Sequence, residues 1–166
     1  MQFFDDKCLV AGSFDPVTCG HMNIIGAAVM TFSKVVVAIG VNDSKKYFFS
    51  LEERLSMLQK ACKKYDSVTV TSYEGLTADF MKQNGIKYFV RGVRNTDDEK
   101  YEEKVFNEIS KVNEEARLTL FNCPKELKKV SSTLVRDLIE KGEPYSRYIP
   151  YEIIEEIEEY SKAKKQ

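Results

Sequence analysis

The sequence lacks an apolar run approaching the roughly 20 residues that span a bilayer. Its first six residues also lack the basic start and apolar stretch of a secretory signal. Neither sign of charge dominates, since 25 basic and 26 acidic side chains leave a formal net charge of -1. A protein with a net charge this close to zero has no overall electrostatic attraction to a nucleic-acid backbone or an anionic membrane. We therefore expect a cytoplasmic protein with no nucleic-acid or membrane partner, in which any phosphate site is local.

Cysteine is scarce, and the four cysteines form no C-x-x-C pair. Two of them lie in apolar, strand-like runs, so reduced thiols are expected rather than disulfides or a zinc site. Cys19 lies two residues before His21, which leaves a thiolate nucleophile as an alternative. No third group that would orient such a pair is visible in the sequence.

Several catalytic signatures are also missing. The chain has no Walker-type glycine-lysine loop, no G-x-G-x-x-G, no Ser-His-Asp set and no His/Cys metal-ligand spacing. A phosphate that attacks another phosphate is already ionised, so that reaction needs positioning and charge neutralisation rather than a general base. The sequence is equipped for this kind of chemistry.

Strand and helix patterns alternate from end to end, over a length of 166 residues with 43% hydrophobic content. Strands are predicted over 7–12, 34–41, 67–72, 88–90 and 118–122. Helices are predicted over 20–32, from Ser50 onward, over 77–84, 97–115, 131–141 and 150–162. These patterns predict one α/β domain over 1–166: a single-domain, Rossmann-like, doubly wound five-stranded parallel sheet with flanking helices. The tail over 161–166 is expected to fray.

The turn after the first predicted strand contains the only histidine, His21. Gly12 and Gly20 bracket this turn, and a helical pattern starts at Gly20. A helix start offers unpaired backbone N–H groups and the positive end of the helix dipole, and a glycine there lets a phosphate approach them. We therefore expect His21 to donate to a bound phosphate rather than to be a solvated or core imidazole.

Polar residues also follow the other predicted strands. They are Lys45 after the second, Thr77 after the third, Arg91 and Arg94 after the fourth, and 131–133 after the fifth. Because ligands of open parallel sheets bind beyond the carboxyl ends of the strands, these residues should face one crevice. The pattern predicts that nucleotide phosphates bind there.

Two segments resemble the signature motifs of the nucleotidylyltransferase superfamily. Gly12-Ser13-Phe14-Asp15-Pro16 with Thr18-Cys19-Gly20-His21 resembles G-x-F-D-P-x-x-x-G-H, and Val130-Ser131-Ser132-Thr133 is similar to the second motif, I-S-S-T. Arg91-Gly92-Val93-Arg94, the loop 44–46 and the helix start 51–54 narrow the resemblance to the phosphopantetheine adenylyltransferase family, over nearly the whole chain.

The resemblance implies a reaction. Members of this family reversibly transfer the adenylyl group of ATP to 4′-phosphopantetheine, which gives dephospho-coenzyme A and pyrophosphate in the penultimate step of coenzyme A biosynthesis. It also implies Mg²⁺ as cofactor and a homohexamer. His21 would stabilise the transition state of an in-line attack without a general base, and Lys45 and Arg91 would assist it.

The resemblance also implies which residues bind each substrate. Those implied for phosphopantetheine are Ser13, Lys45, Thr77 and Arg91. Those implied for ATP are Ser13, Phe14, His21, Gly92, Val93, Arg94, Glu102, Leu127, Lys128, Lys129, Val130, Ser131, Ser132 and Thr133. Glu102 is the acidic member and suits a hydrogen bond to ribose or adenine, while no protein ligand for the magnesium ion is assigned.

Two other functions remain open at this stage. One is a different nucleotidylyltransferase, such as a cytidylyltransferase or a nicotinamide mononucleotide adenylyltransferase, which would share both superfamily motifs. The other is a nucleotide-sensing module that binds ATP or coenzyme A without turnover. The loop with Lys45 and the segment from Arg91 to Arg94 favour phosphopantetheine as acceptor, and intact His21 favours an enzyme.

Overall fold

A computed structural model describes residues 4–165 of the chain. Its strands are β1 (Phe4–Gly12), β2 (Phe32–Gly40), β3 (Val68–Tyr73), β4 (Tyr88–Val93) and β5 (Arg117–Asn122). Its α-helices are α1 (Cys19–Thr31), α2 (Leu51–Cys62), α3 (Thr77–Gln83), α4 (Thr96–Val112), α5 (Ser132–Lys141) and α6 (Ile154–Lys164). Short 3₁₀ turns occur at Lys125–Leu127, Ser146–Tyr148 and Tyr151–Ile153.

All strand pairs are parallel, and the sheet order is β3-β2-β1-β4-β5. The chain thus runs outward from β1 to β3 on one side and returns to place β4 on the other side of β1. This order confirms the predicted doubly wound α/β fold. It also puts the topological switch point, where ligands of such sheets bind, between β1 and β4.

Strand β2 shows why the sheet is covered on both faces. Val35, Val37 and Ile39 are buried in the larger core cluster, whereas the intervening Ala38 belongs to the smaller one. Because side chains alternate along a strand, an unbroken apolar run requires a core on each side. Helices α1, α2, α5 and α6 contribute buried residues to the larger cluster, and α3 and α4 contribute to the smaller one.

Several element ends were predicted wrongly, and β4 matters most. It continues three residues beyond the predicted end at Val90, because Arg91, Gly92 and Val93 pair with β5. An arginine followed by a glycine gives no sequence signal for a strand, so the end of β4 could not be predicted without knowing that it pairs with β5. A Cβ at Gly92 would lie 2.6 Å from Cδ1 of Ile24, so glycine lets α1 approach closely.

The ends of α4 and α6 also differ from prediction. Helix α4 ends at Val112 instead of 115, since Asn113 is extended and leads the chain toward β5. Helix α6 begins after a 3₁₀ turn and reaches Lys164, and the expected fraying of 161–166 stays a prediction. Ser161 is buried, and the Lys164 Nζ lies 3.0 Å from the Glu53 carboxylate. Gln166 lies outside the described residues.

The caps of two helices confirm their predicted starts. Ser50 and Glu53 form a reciprocal capping box at the start of α2, and the Ser131 hydroxyl accepts the N–H of Leu134 at the start of α5. Within residues 4–165, no helix is both long and apolar enough to cross a membrane.

Helix α6 contributes to the main core, and this can be tested by truncating one side chain. Ile157 is fully buried in the larger cluster. We expect Ile157→Ala to lower the free energy of unfolding by about 2–5 kcal/mol, the usual cost of such a cavity. Denaturant titration measures this change, and Glu159→Ala on the exposed face of the same helix is the matched control. A loss no larger than that of the control would contradict this packing.

Candidate functional site

Two adjoining cavities open at the carboxyl ends of β1 and β4. The lysine cavity, of about 440 Å³, contains Lys45 and Thr77 in its wall. The histidine cavity, of about 510 Å³, contains His21 and the start of α5. Both are lined by the end of β1 with Ser13, by Arg91 of β4 and by Tyr101 of α4. The switch point of the sheet therefore carries two compartments with a common wall.

The lysine cavity brings together all four residues that were expected to bind phosphopantetheine. These are Ser13, Lys45, Thr77 and Arg91. Lys45 is exposed on the loop after β2, and the Thr77 hydroxyl lies 2.8 Å from the Tyr73 hydroxyl. Leu76, Val105, Ile109 and Val112 give the cavity an apolar surface, and Glu108 of α4 also lines it. The cavity thus combines cationic groups with an apolar surface.

Most residues expected at the ATP site line the histidine cavity. They are Ser13, Phe14, His21, Gly92, Arg94, Glu102, Leu127, Val130, Ser131 and Ser132. The remaining ones are placed elsewhere: Val93 is buried in the sheet, and Lys128 and Lys129 are exposed after a 3₁₀ turn. Thr133 is exposed and accepts a hydrogen bond from Arg136 at 3.2 Å.

His21 is the third residue of α1 and is held by the helix cap. The backbone N–H of Thr18 donates to Nδ1 of His21 at 3.0 Å, and the N–H of His21 lies 3.3 Å from the Thr18 hydroxyl, which accepts it. Since Nδ1 accepts this hydrogen bond, a neutral ring carries its proton on Nε2. No group within residues 4–165 forms a hydrogen bond with Nε2, so this N–H is available to a ligand.

The surroundings keep the imidazole neutral. Desolvation is the main cause that lowers the pKa of His21, the charges of Arg91 and Arg94 add to it, and together they bring the pKa from 6.5 to about 4. The ring also contacts Phe14, with ring centroids 4.9 Å apart. At neutral pH the site therefore presents an uncharged N–H donor, and its positive charge comes from the two arginines.

Two helices begin at the histidine cavity. Gly20 lies in the first turn of α1, where a Cβ would be 3.4 Å from the Thr18 hydroxyl and 3.6 Å from the carbonyl oxygen of Val130. The start of α5 is joined to the same turn, because the Ser132 hydroxyl donates to the carbonyl of Pro16 at 2.7 Å. Both positive helix ends thus lie near one volume, an arrangement that suits phosphates.

Arg91 and Glu102 form an ion pair that sequence analysis missed. Nε and Nη2 of Arg91 donate to the two carboxylate oxygens of Glu102 at 2.9 and 3.1 Å, and Nη1 donates to the carbonyl of Ala11 at 2.8 Å. The sequence assigned these two side chains to different substrates. Their opposite charges on β4 and α4 were the available signal, but only the fold shows that they meet.

A second missed group consists of buried charges beneath the turn that carries Ser13. The carboxylate of Asp15 accepts the backbone N–H groups of Phe48 and Phe49, both at 2.8 Å. Buried Arg54 donates through Nη1 to the carbonyl of Ser13 at 2.9 Å. Arg54 lies on the buried face of α2 with Met57 and Leu58, and an arginine among these apolar side chains was the available signal of a buried polar role.

The described part of the chain contains no group of three or more His, Cys, Asp or Glu side chains able to hold a metal ion. Two carboxylates line the histidine cavity, Asp98 and Glu102. Asp98 accepts the backbone N–H of Arg94 at 3.0 Å through Oδ2. A divalent ion in this cavity would therefore depend mainly on oxygens that a ligand supplies.

The sequence of the chain is similar to that of known proteins. Residues 9–138 match the sequence profile of the cytidylyltransferase-like family. A phosphopantetheine adenylyltransferase of Flavobacterium psychrophilum is 38% identical over 144 residues, which cover 87% of this chain and 95% of that protein. Another from Finegoldia magna is 37% identical over 153 residues, 92% of this chain and 94% of that protein.

The fold also resembles a solved structure. A bifunctional NMN adenylyltransferase/ADP ribose pyrophosphatase from Francisella tularensis superimposes with a TM-score of 0.64 at 19% identity. The match covers 88% of this chain but only 45% of that protein, so it bears on the fold alone. The sequence profile and the two relatives show that the chain belongs to the cytidylyltransferase-like family of nucleotidyltransferases and, within it, to the phosphopantetheine adenylyltransferases.

Proposed function

We propose that the protein reversibly transfers the adenylyl group of ATP to 4′-phosphopantetheine, producing dephospho-coenzyme A and pyrophosphate. The observation that carries this proposal is the pair of adjoining cavities. All four residues expected for phosphopantetheine line one cavity and most of those expected for ATP line the other, and Ser13 and Arg91 line both. A transfer reaction needs two ligands whose reactive groups meet at a common wall, and this arrangement supplies one.

The lysine cavity suits phosphopantetheine. Its apolar wall matches the hydrocarbon parts of the pantetheine arm, and Lys45 and Arg91 can bind the terminal phosphate. The histidine cavity suits ATP, since Arg94 and the starts of α1 and α5 provide positive potential for its phosphates. The phosphate of the acceptor and the α-phosphate of ATP would then meet near Ser13.

The chemistry needs no protein base. A phosphate oxygen of the acceptor attacks the α-phosphorus of ATP and forms a new P–O bond, while the bond to pyrophosphate breaks and the leaving group keeps the electron pair. Negative charge grows on the oxygens of the transferred phosphoryl centre. The Nε2–H of His21 donates to one of these oxygens, and it transfers no proton.

Magnesium is part of the proposal because ATP carries it. The ion would take its ligands mainly from phosphate oxygens and water, with Asp98 the nearby carboxylate, and it would supply charge neutralisation at the phosphates.

We also propose a cytoplasmic homohexamer. Leu76 (61% exposed), Tyr101 (62%) and Val112 (42%) form an apolar rim at the lysine cavity, which supports contact between copies of the chain.

The acceptor is tested by measuring pyrophosphate release from ATP and Mg²⁺ with a panel of phosphorylated acceptors. We expect release with 4′-phosphopantetheine and at most traces with nicotinamide mononucleotide. Release from CTP with a phosphorylated alcohol would instead indicate a cytidylyltransferase. ATP binding without release for any acceptor would indicate a sensing module and overturn the proposed reaction.

Replacing His21 tests its role in the transition state. We expect His21→Ala to lower kcat by about 10²–10³-fold, the usual effect of removing one preorganised donor, while ATP affinity falls about tenfold or less. Steady-state kinetics and equilibrium ATP binding measure the two effects. His21→Gln retains an N–H donor and should lose less activity than His21→Ala. Equal losses in kcat and in ATP affinity would exclude a role specific to the transition state.

The protonation state of His21 can be observed directly, because the chain has one histidine. NMR of the imidazole should show no titration between about pH 5 and 9 in the free protein, since the pKa is lowered to about 4. The unfolded chain binds this proton near pH 6.5, so stability should fall as the pH drops from about 6.5 toward 4. Titration near pH 6.5 in the folded protein would refute a neutral donor.

A further inference from the structure

The loop between β2 and α2 carries two adjacent lysines, and one of them faces the lysine cavity. Both Lys45 and Lys46 are exposed, but Lys45 lines this cavity and Lys46 does not. A small rotation of the loop would therefore carry the ammonium group of Lys45 away from the cavity. The conformation of the loop determines whether the acceptor meets this cation.

Hydrogen bonds hold the two ends of the loop but not its middle. Near its start the carbonyl of Asn42 accepts the N–H of Lys45 at 3.1 Å, and its end is held by the carboxylate of Asp15. Lys46 and Tyr47 lie between these anchors and form no hydrogen bond with another residue in the described part of the chain. Side-chain packing must therefore fix the middle of the loop.

The ring of Tyr47 supplies this packing, because it lies on the guanidinium of Arg54. Cζ of Arg54 is 3.9 Å from the ring centroid, within the range of a cation–π contact. Arg54 is 3% exposed, and it donates to the carbonyls of Phe49 and Ser13 at 3.1 and 2.9 Å. A desolvated cation attracts an aromatic ring more strongly than an exposed one does. Tyr47 thus joins the loop to the group that also holds the turn of Ser13.

Tyr47 is the member of this pair that faces the acceptor. It lines the lysine cavity with Lys45, whereas Arg54 lines neither cavity. The Tyr47 hydroxyl has no hydrogen-bond partner among the residues that the structure describes. The ring makes the contact with Arg54, so substitution can separate the effect of the ring from that of the hydroxyl.

We propose that Tyr47 is a positioning residue that holds Lys45 in the lysine cavity by stacking on Arg54. The inference rests on the proposed function and deepens it, since it identifies what fixes one of the cations that meet the phosphate of the acceptor. Tyr47 acts through Lys45 and makes no hydrogen bond to the acceptor itself.

The test is Tyr47→Leu, which keeps an apolar side chain but removes the ring. We expect the KM for 4′-phosphopantetheine to rise about five- to tenfold, on the scale of one cation–π contact. The KM for ATP should stay the same, because Lys45 lines the lysine cavity and not the histidine cavity. An unchanged KM for the acceptor, or an equal rise for both substrates, would overturn the proposal.

Two further variants serve as controls. Tyr47→Phe keeps the ring and should restore the wild-type KM for the acceptor. A rise as large as that of Tyr47→Leu would show that the hydroxyl contacts the acceptor, which contradicts positioning through the ring. Tyr151→Leu makes the same change at an exposed tyrosine outside both cavities, and it should leave both KM values unchanged.

A double-mutant cycle tests whether Tyr47 acts through Lys45. In a Lys45→Ala background, Tyr47→Leu should raise the KM for the acceptor no further. Additive effects would contradict the proposal. If Tyr47→Leu does not fold, as judged by circular dichroism, Tyr47→Met replaces it with the same expected results, because methionine also lacks an aromatic ring and adapts to the space around it.

Hydrogen exchange in the free protein distinguishes failure of this inference from failure of the proposed function. The N–H groups of Ser44 and Lys45 are hydrogen bonded to Asn42, so their exchange rates report on the order of the loop. We expect faster exchange in Tyr47→Leu and wild-type rates in Tyr47→Phe. Equal rates in all three proteins would overturn the inference, whatever their activity. If the wild type releases no pyrophosphate with 4′-phosphopantetheine, the proposed function is wrong, while faster exchange in Tyr47→Leu still supports the positioning of the loop.

Discussion

The carboxylate of Asp15 accepts two backbone N–H groups from the segment before α2, and the rest of the site depends on this contact. On one side Arg54 holds the carbonyl of Ser13, and on the other Arg136 donates to the carbonyl of Asp15 at 2.7 Å. Between them Phe14 has φ +45°, a conformation that costs free energy for a side chain of this size. Buried charge and hydrogen bonding offset that cost, and Phe14 is itself 1% exposed within the core. The turn that carries Ser13 is therefore fixed before any ligand binds, which is what preorganised electrostatic catalysis requires.

Much of this architecture could be predicted from local pattern. The apolar run of β2 indicated a strand covered on both faces, and the caps at Ser50 and Ser131 marked two helix starts, because these features depend on neighbours in the sequence. The end of β4 could not be predicted, since Arg91 and Gly92 become strand residues only by pairing with β5. The placement of the site followed from topology, which directs all carboxyl ends of the strands to one edge.

The sequence does not show which group each charged side chain contacts in the folded protein. Arg91 was read as a free cation and Glu102 as a free acceptor, yet the fold joins them across a distance of 2.9 Å. The same limit applies to Asp15 and Arg54, whose partners are backbone groups of other segments. A motif shows which chemical groups are present. The packing of strand on helix determines which of these groups remain available to a ligand.

The neighbours of His21 also explain why its imidazole is neutral. A protonated imidazole would donate from both nitrogens, and Nδ1 would then face the N–H of Thr18 instead of accepting from it, at 3.0 Å. Protonation would therefore disrupt the contact that orients the ring, while Arg91 and Arg94 oppose it electrostatically. A fixed N–H on Nε2 avoids both costs, and it keeps its hydrogen throughout a reaction whose nucleophile is already ionised. The arginines and helix starts provide positive charge for the phosphates, and His21 provides a hydrogen-bond donor at a defined place. Neither the arginines nor the histidine needs to change its protonation state to do so.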